Sequence, residues 1–387
     1  MVATESSGSE ARADWAAIAG VIATVSVFAI AQGLTYPLLS FILQRQGISP
    51  SLIGLSAAMT PIGFIVSSPL VPWLARRFGA GRTALSCAVL SAVTLALIGW
   101  TQDVYAWFLL RFLLGLVTNP LYVLSEVWMI ALAPPARRGR VMGVYTTIIS
   151  AGFAAGPLCL LAVGSYGWPP FLVGIVAFVV CGACLALVLK RLPKFDETGH
   201  QVSVLGFVPL AWLLLFAVVV AAGFEQGVLA LLPVYGIEYG IAEATMAALL
   251  SVMIAGNIAL QVPLGLLAER LTARSVRLAC TWAAALGCAA LPFLIETPLV
   301  WPFVFVWGAV SYGIYTMTII ELGEKFSGAM LVAGNAAFSL MWGIGGITVP
   351  PATGAAMDVL GTRGLPILLG VLCLALAIAS SVRRGPA

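Results

Sequence analysis

Residues 206–235, GFVPLAWLLLFAVVVAAGFEQGVLALLPVY, are an unbroken apolar run whose only charged side chain is Glu225. A bilayer core is crossed by roughly 20 apolar residues in a helix, so this run spans a membrane with length to spare for tilt. It has company along the whole chain. Gly, Pro and charge clusters divide the rest into similar runs at 15–40, 51–75, 82–101, 104–132, 140–164, 169–190, 244–268, 275–295, 298–322, 329–356 and 364–382, which makes twelve candidate spans.

Composition agrees. Of the 387 residues 61% are hydrophobic and 9% charged, where a soluble domain carries about 25% charged residues. Too few charges remain to cover a water-facing surface, which excludes an ordinary soluble enzyme. The net charge of +4 sits in short clusters between apolar runs and is no nucleic-acid signal. Met1 to Asp14 is polar and lacks the basic start and small-residue cleavage site of a signal peptide, so it reads as a short cytoplasmic tail. The seven cysteines fall inside apolar runs. Cys181-Gly-Ala-Cys184 lies among Val, Ala and Leu, and His200 is the single histidine, so packing is expected there, with no metal and no cofactor.

The 19 Lys and Arg residues then test the span count. Arg12, Arg76, Arg77, Arg82, Arg137, Arg138, Arg140, Lys190, Arg191, Lys194, Arg270, Arg274, Arg277, Lys325, Arg383 and Arg384 fall on one side, Arg45 and Arg363 on the other, and Arg111 within a span. The positive-inside rule makes the crowded side cytoplasmic, with both termini there.

The halves also repeat. Ala31-Gln32-Gly33-Leu34 matches Glu225-Gln226-Gly227-Val228 at an offset of 194. Gly47-Ile48-Ser49 matches Gly240-Ile241-Ala242, Ala75-Arg76-Arg77 matches Ala268-Glu269-Arg270, and Gly152 with Pro157 matches Gly345 with Pro350, all at 193. An offset of six spans leaves the halves parallel. The expected organisation is a six-helix bundle over 1–189, a cytoplasmic linker at 190–205 and a second bundle over 206–387.

Over its full length the chain resembles the major facilitator superfamily. Pro72-Trp73-Leu74-Ala75-Arg76-Arg77-Phe78-Gly79 keeps Leu74, Ala75, Arg77 and Gly79 of the family's G-x-L-A-D-R-x-G-R signature, but places Arg76 where the family has Asp. Gly265-Leu266-Leu267-Ala268-Glu269-Arg270 is closer and retains the acid. The resemblance implies a cytoplasmic gate at Arg77, Gly79, Gly265, Glu269 and Arg270. Arg111-Phe112-Leu113-Leu114-Gly115 is similar to the R-x-x-x-G motif, whose arginine lines the cavity and is tied to proton coupling. Gly152 to Pro157 is similar to the G-x-x-x-G-P motif associated with antiporters. The compact length and Glu126-Val127-Trp128 are most like small bacterial YcaD-type members. The fold implied is all-α, twelve membrane helices in two pseudo-symmetric six-helix bundles, with helices 1, 4, 7 and 10 around a central cavity.

An ionisable group at membrane depth costs several kcal/mol and is a functional candidate by default. Three such groups stand out: Arg111, Glu126 and Glu225. Arg111 lies about 10 Å and Glu225 similarly far from the outer ends of their helices, at 1.5 Å per residue, which would let them face each other. Arg111, Gly115, Asn119, Tyr122 and Glu126 follow one another at three- or four-residue steps, near one helical face. Arg111 and Glu126 are roughly 22 Å apart along the helix and cannot pair directly. The first span offers Gln32 and Tyr36, the seventh Gln226 beside Glu225, and the tenth Ser311 and Tyr315. Gly143, Gly152, Gly156, Gly343, Gly345 and Gly346 are expected to allow close helix packing. Trp73, Trp100, Trp107, Trp168 and Trp301 are expected to anchor span ends in the membrane interface.

The function expected is secondary active transport of a small organic solute across the inner membrane by a monomer. Proton-coupled antiport, in which Glu225 or Glu126 exchanges the proton, is the leading scheme. Proton-coupled uptake of a metabolite such as a carboxylate drawn by Arg111 is the alternative. An embedded enzyme would need clustered catalytic groups at one depth, and the sequence offers none.

Overall fold

The computed structural model describes residues 14–101, 103–134, 138–193 and 204–382. The elements among them are all helical: α1 (Trp15–Arg45), α2 (Pro50–Ser67), α3 (Leu70–Phe78), α4 (Ala80–Thr101), α5 (Val104–Leu132), α6 (Arg138–Val163), α7 (Pro169–Val188), α8 (Val204–Glu238), α9 (Glu243–Arg270), α10 (Ala273–Leu294), α11 (Val300–Lys325), α12 (Gly328–Leu360) and α13 (Gly364–Val382). The expected second span is broken at Ser68-Pro69, so α2 and α3 together make one crossing and the described residues make twelve. An even number of crossings returns the chain to its starting side, here termed the terminal face. Residues 1–13 of the expected tail lie outside the described residues, as do 194–203 of the expected linker with Lys194 and His200, and also Arg137, Arg383 and Arg384.

Local chemistry sets the helix ends. The Asp14 carboxylate accepts the Ala17 N–H at 3.0 Å and caps α1. That bond, with Arg191 at 3.4 Å, holds the Asp14 carboxyl below its usual range. Asp103 caps α5 through the Tyr105 N–H at 2.8 Å. Gly47 (φ 72°) and Gly240 (φ 75°) take the left-handed conformation that turns α1 into α2 and α8 into α9. In the membrane-spanning interior, hydroxyls such as those of Thr35, Ser40, Thr118 and Thr318 donate to the carbonyl four residues earlier, so their polarity is satisfied without water.

The two bundles repeat one another contact by contact. A Cβ on Gly63 would strike the Phe112 carbonyl, and one on Gly256 would strike the Phe305 carbonyl. Gly115 lies on the Thr60 carbonyl, and Gly308 on that of Met253. Gly152 stands over Ser26 O and Ala29, Gly345 over Val219 O and Ala222. Each pair of positions is 193 apart. Small residues therefore let α2 meet α5, α8 meet α12, and their counterparts meet likewise, as close packing in lipid requires. These contacts also correct the register of the first and seventh spans. Ser26/Val219 and Ala29/Ala222 fix it at 193, not 194, so Glu225 is the counterpart of Gln32 and Gln226 that of Gly33.

Two further expectations are corrected. Trp107 anchors no interface: it is fully buried, and its indole N–H donates to the Ile98 carbonyl at 3.0 Å, which satisfies its polar edge inside the bundle. Trp73, Trp100, Trp168 and Trp301 are exposed as expected. Arg277 is no loop charge. It is wholly buried between α10, α11 and α13, where it donates to Glu321 at 2.9 Å and to the Ser380 hydroxyl at 3.1 Å, while Lys325 reaches the same carboxylate at 2.6 Å.

Candidate functional site

The expected polar stripe of α5 splits into two groups. Its first part is spent on α2. Arg111 donates to the Ser56 hydroxyl at 3.2 Å, Gly115 lies on Thr60, and the Asn119 amide donates to Ser67 at 2.8 Å, Ser68 at 3.2 Å and the Phe64 carbonyl at 3.2 Å. The long helix of α2 then stops at Ser67. Tyr122 and Glu126 lie beyond that stop, freed from this packing.

Arg111 and Glu225 do not pair. Arg111 is 1% exposed, its guanidinium carbon lies 5.9 Å from the centre of the Tyr36 ring, and its Nε has no hydrogen-bond partner. Tyr36 lies within electrostatic reach of both Arg111 and Glu225. Gln32 is buried on the same helix.

A second group does come together. Tyr122 of α5 feels Glu126, Tyr145, Tyr315 and Glu225. Tyr315 of α11 feels Glu225 and Glu126, and Tyr312 feels Glu225. Tyr122 is nonetheless 40% exposed. A side chain with neighbours from three helices and so much free surface borders an internal space. Glu126, Glu225, Tyr312 and Tyr315 are each half-buried around it. Among the described residues neither carboxylate has a hydrogen-bond or ion-pair partner. Two more polar atoms nearby are buried and unpartnered: Gln226 Oε1, next in sequence to Glu225, and Ser311 Oγ, one turn from Tyr315.

Above this group the bundles are sealed. Residues 31–43 of α1 and 226–236 of α8 are buried without a break, whereas the terminal-face half of α1 alternates. Along the seam between α2 and α12, a Cβ on Gly54 would strike the Pro350 carbonyl, and one on Gly354 the Pro50 carbonyl. At the face itself Arg45 of α1 clasps Glu243 of α9. Its Nη1 lies 2.7 Å from the carboxylate and 3.0 Å from Ser165 Oγ, its Nη2 donates to Ser165 O at 2.7 Å, and its guanidinium covers the Tyr166 ring at 4.0 Å. Ser165 Oγ also bonds Glu243. Asp358, after α12's glycine-lined contact, accepts the Ser51 N–H at the start of α2 at 3.3 Å.

Toward the terminal face three glycines border open space. A Cβ on Gly143 of α6, Gly265 of α9 or Gly323 of α11 would meet nothing within 4 Å. Arg77, Glu269 and Arg270 are exposed there, and Gly79 ends α3 with φ 87°. None of these three charges forms an ion pair among the described residues.

Sequence reasoning missed the clasp and Tyr312. Arg45 carried a signal, as one of two basic residues outside the crowded side. Its partner lies 198 residues away, where spacing gives no hint.

The family model described as Major Facilitator Superfamily matches residues 21–333 and 214–386. The chain is similar to YfkF of Bacillus subtilis (strain 168), described as an uncharacterized MFS-type transporter, with 26% identity over 357 residues, 89% of this chain and 90% of that one. It is also similar to YcaD of Escherichia fergusonii, described likewise, with 24% identity over 308 residues, 79% of this chain and 80% of that one. Among solved structures the nucleoside transporter NupG superposes with a TM-score of 0.80 at 12% identity, covering 95% of this chain and 98% of that one. A bacterial homologue of the human lysosomal transporter Spinster gives 0.77 at 12% identity, covering 96% and 98%.

Proposed function

The chain belongs to the major facilitator superfamily, and on that premise we propose that it carries a small organic solute across the bacterial inner membrane by alternating access, as a proton-coupled antiporter. One observation carries this reading: the bundles are sealed at the opposite face by Arg45–Glu243 and the α2–α12 glycines, whereas glycines of α6, α9 and α11 face open space toward the terminal face and Glu126 and Glu225 have no ion-pair partner among the described residues. A structural bundle has no use for that asymmetry. A carrier must have it in each of its two resting states.

The basic clusters make the terminal face cytoplasmic, so the state is inward-facing. In the return state the cytoplasmic ends close, and Arg77, Gly79, Gly265, Glu269 and Arg270 supply the gate. Their lack of ion pairs among the described residues suits a gate that is open. Tyr36, Arg111, Tyr122, Glu126, Glu225, Gln226, Ser311 and Tyr315 line or brace the solute site, with Gln32 and Asn119 holding its helices. Glu225 is the coupling group: among the described residues it has no partner to neutralise it, so it takes a proton or a solute in turn.

Purified protein in liposomes tests both parts. A cysteine pair replacing Arg45 and Glu243 is expected to cross-link and to stop flux until reduced. An imposed pH gradient is expected to drive solute flux opposite to proton flux. Flux that continues in the cross-linked protein ends the alternating-access reading, and flux indifferent to the gradient ends the coupling.

A further inference from the structure

Tyr122 and Tyr315 are 193 residues apart and occupy equivalent places in the two bundles. They lie within electrostatic reach of each other across the space between the halves. The groups beside them break the symmetry. Glu225 stands where the first bundle has Gln32, and Glu126 where the second has Ile319. Both departures add negative charge within electrostatic reach of the two tyrosines. The cation beside Tyr36 is Arg111, which is 1% exposed and bonded to Ser56, so a solute in the opening cannot reach it.

Resting on the carrier reading above, we propose that the space between Tyr122 and Tyr315 binds a lipophilic organic cation, its charged centre held between the two rings and against Glu225. The rings present π faces, which attract a cation more strongly once it is partly desolvated. The carboxylates focus a negative potential at the end of the opening. A half-buried carboxylate without a counter-charge is costly to maintain, and a cationic ligand removes that cost. An anion would meet two carboxylates and no accessible positive donor, which disfavours the uptake of a carboxylate.

Tetraphenylphosphonium and tetraphenylborate share size and shape and differ in the sign of charge, so they isolate the electrostatic claim. Equilibrium binding to the purified full chain is expected to be saturable for the phosphonium and absent for the borate. Glu225→Gln should weaken phosphonium binding about tenfold or more, since it removes the charge from a partly desolvated pair, while Glu225→Asp should retain most of it. Tyr315→Leu should weaken it and Tyr315→Phe should not, because the ring face carries the interaction. Equal binding of the borate overturns the proposal. So does phosphonium binding that a folded Glu225→Gln protein leaves undiminished, or no saturable phosphonium binding at all. The cross-link at Arg45 and Glu243 reports alternation without any ligand, so failure of the cation assignment and failure of the carrier reading remain separate results.

Discussion

The first and second bundles are built on the same contacts and differ in their charges. Glycines at 63 and 256, 115 and 308, and 152 and 345 seat their helices on equivalent neighbours. Yet Arg277 and Glu321 occupy places that in the first bundle belong to Ala84 and Trp128, and Glu225 replaces Gln32. The shared positions are small and apolar because close helix packing in lipid tolerates nothing else. The divergent ones are where an ionisable group is retained against its insertion cost, and a retained cost needs a reason. For Arg277 and Glu321 the reason is internal pairing. Glu225 has no ion-pair partner among the described residues, and the proposed cation would supply one.

The largest effect should come from breaking that internal pair. Arg277→Ala leaves Glu321 buried with only Lys325, whose own side chain is half-exposed. Removal of one member of a buried pair costs about 3–5 kcal/mol, while replacing both by apolar groups is near neutral. Arg277→Leu with Glu321→Leu makes the second bundle resemble the first and should recover most of the loss. Denaturant titration of the purified protein decides it. A single variant as stable as the parent would mean that the ion pair contributes little and that the divergence is incidental.

How much of this was legible in the sequence follows the same division. Apolar runs and the sorting of charges gave twelve spans, because bilayer thickness and the positive-inside rule act on composition directly. The repeat was visible wherever small residues or turn glycines are obligatory, as at Gly47 and Gly240. It slipped by one residue at Glu225, where the two bundles no longer share chemistry and matching Gln to Gln misled. Helical spacing put Arg111, Asn119 and Tyr122 on nearby faces but could not say that α2 covers the first two and ends before the third. Arg277 was sorted with the crowded side and Glu321 drew no reading, since a pair separated by 44 residues leaves no local mark.

A medium effect should come from the seam between the bundles. Gly54→Val places a side chain against the Pro350 carbonyl in the sealed state. Overpacking of this kind costs about 1–3 kcal/mol, which shifts a two-state balance by about 5- to 150-fold toward opening at that face. Gly143→Val, at a position with nothing within 4 Å, leaves the sealed state untouched. Distances between spin labels at the outer ends of α2 and α12 would report the shift. No difference between the two variants would mean that the glycine seam does not control closure.

The smallest effect should come from the clasps, and it sharpens the comparison most, because the two seams are closed by different chemistry at equivalent places. Ser165 and Asp358 are 193 apart. At one seam Ser165 backs an ion pair, Arg45 to Glu243, that is part-exposed at 25% and 18%. At the other, Asp358 accepts the Ser51 N–H at the N-terminus of α2, where the helix dipole favours an anion. Part-exposed pairs are worth about 1 kcal/mol or less, and an acid at a helix N-terminus about 0.3–1 kcal/mol. Arg45→Ala should therefore raise opening about fivefold at most, and Asp358→Asn by less. Salt separates the two further: about 1 M shortens screening to roughly 3 Å, so the parent protein should approach the Arg45→Ala variant as salt is added. The seams are distinct and share no partner, so the double variant should show the sum of the two free-energy changes. A double variant that opens far more than that sum would mean the clasps act as one lock, and that the bundles separate at both seams together.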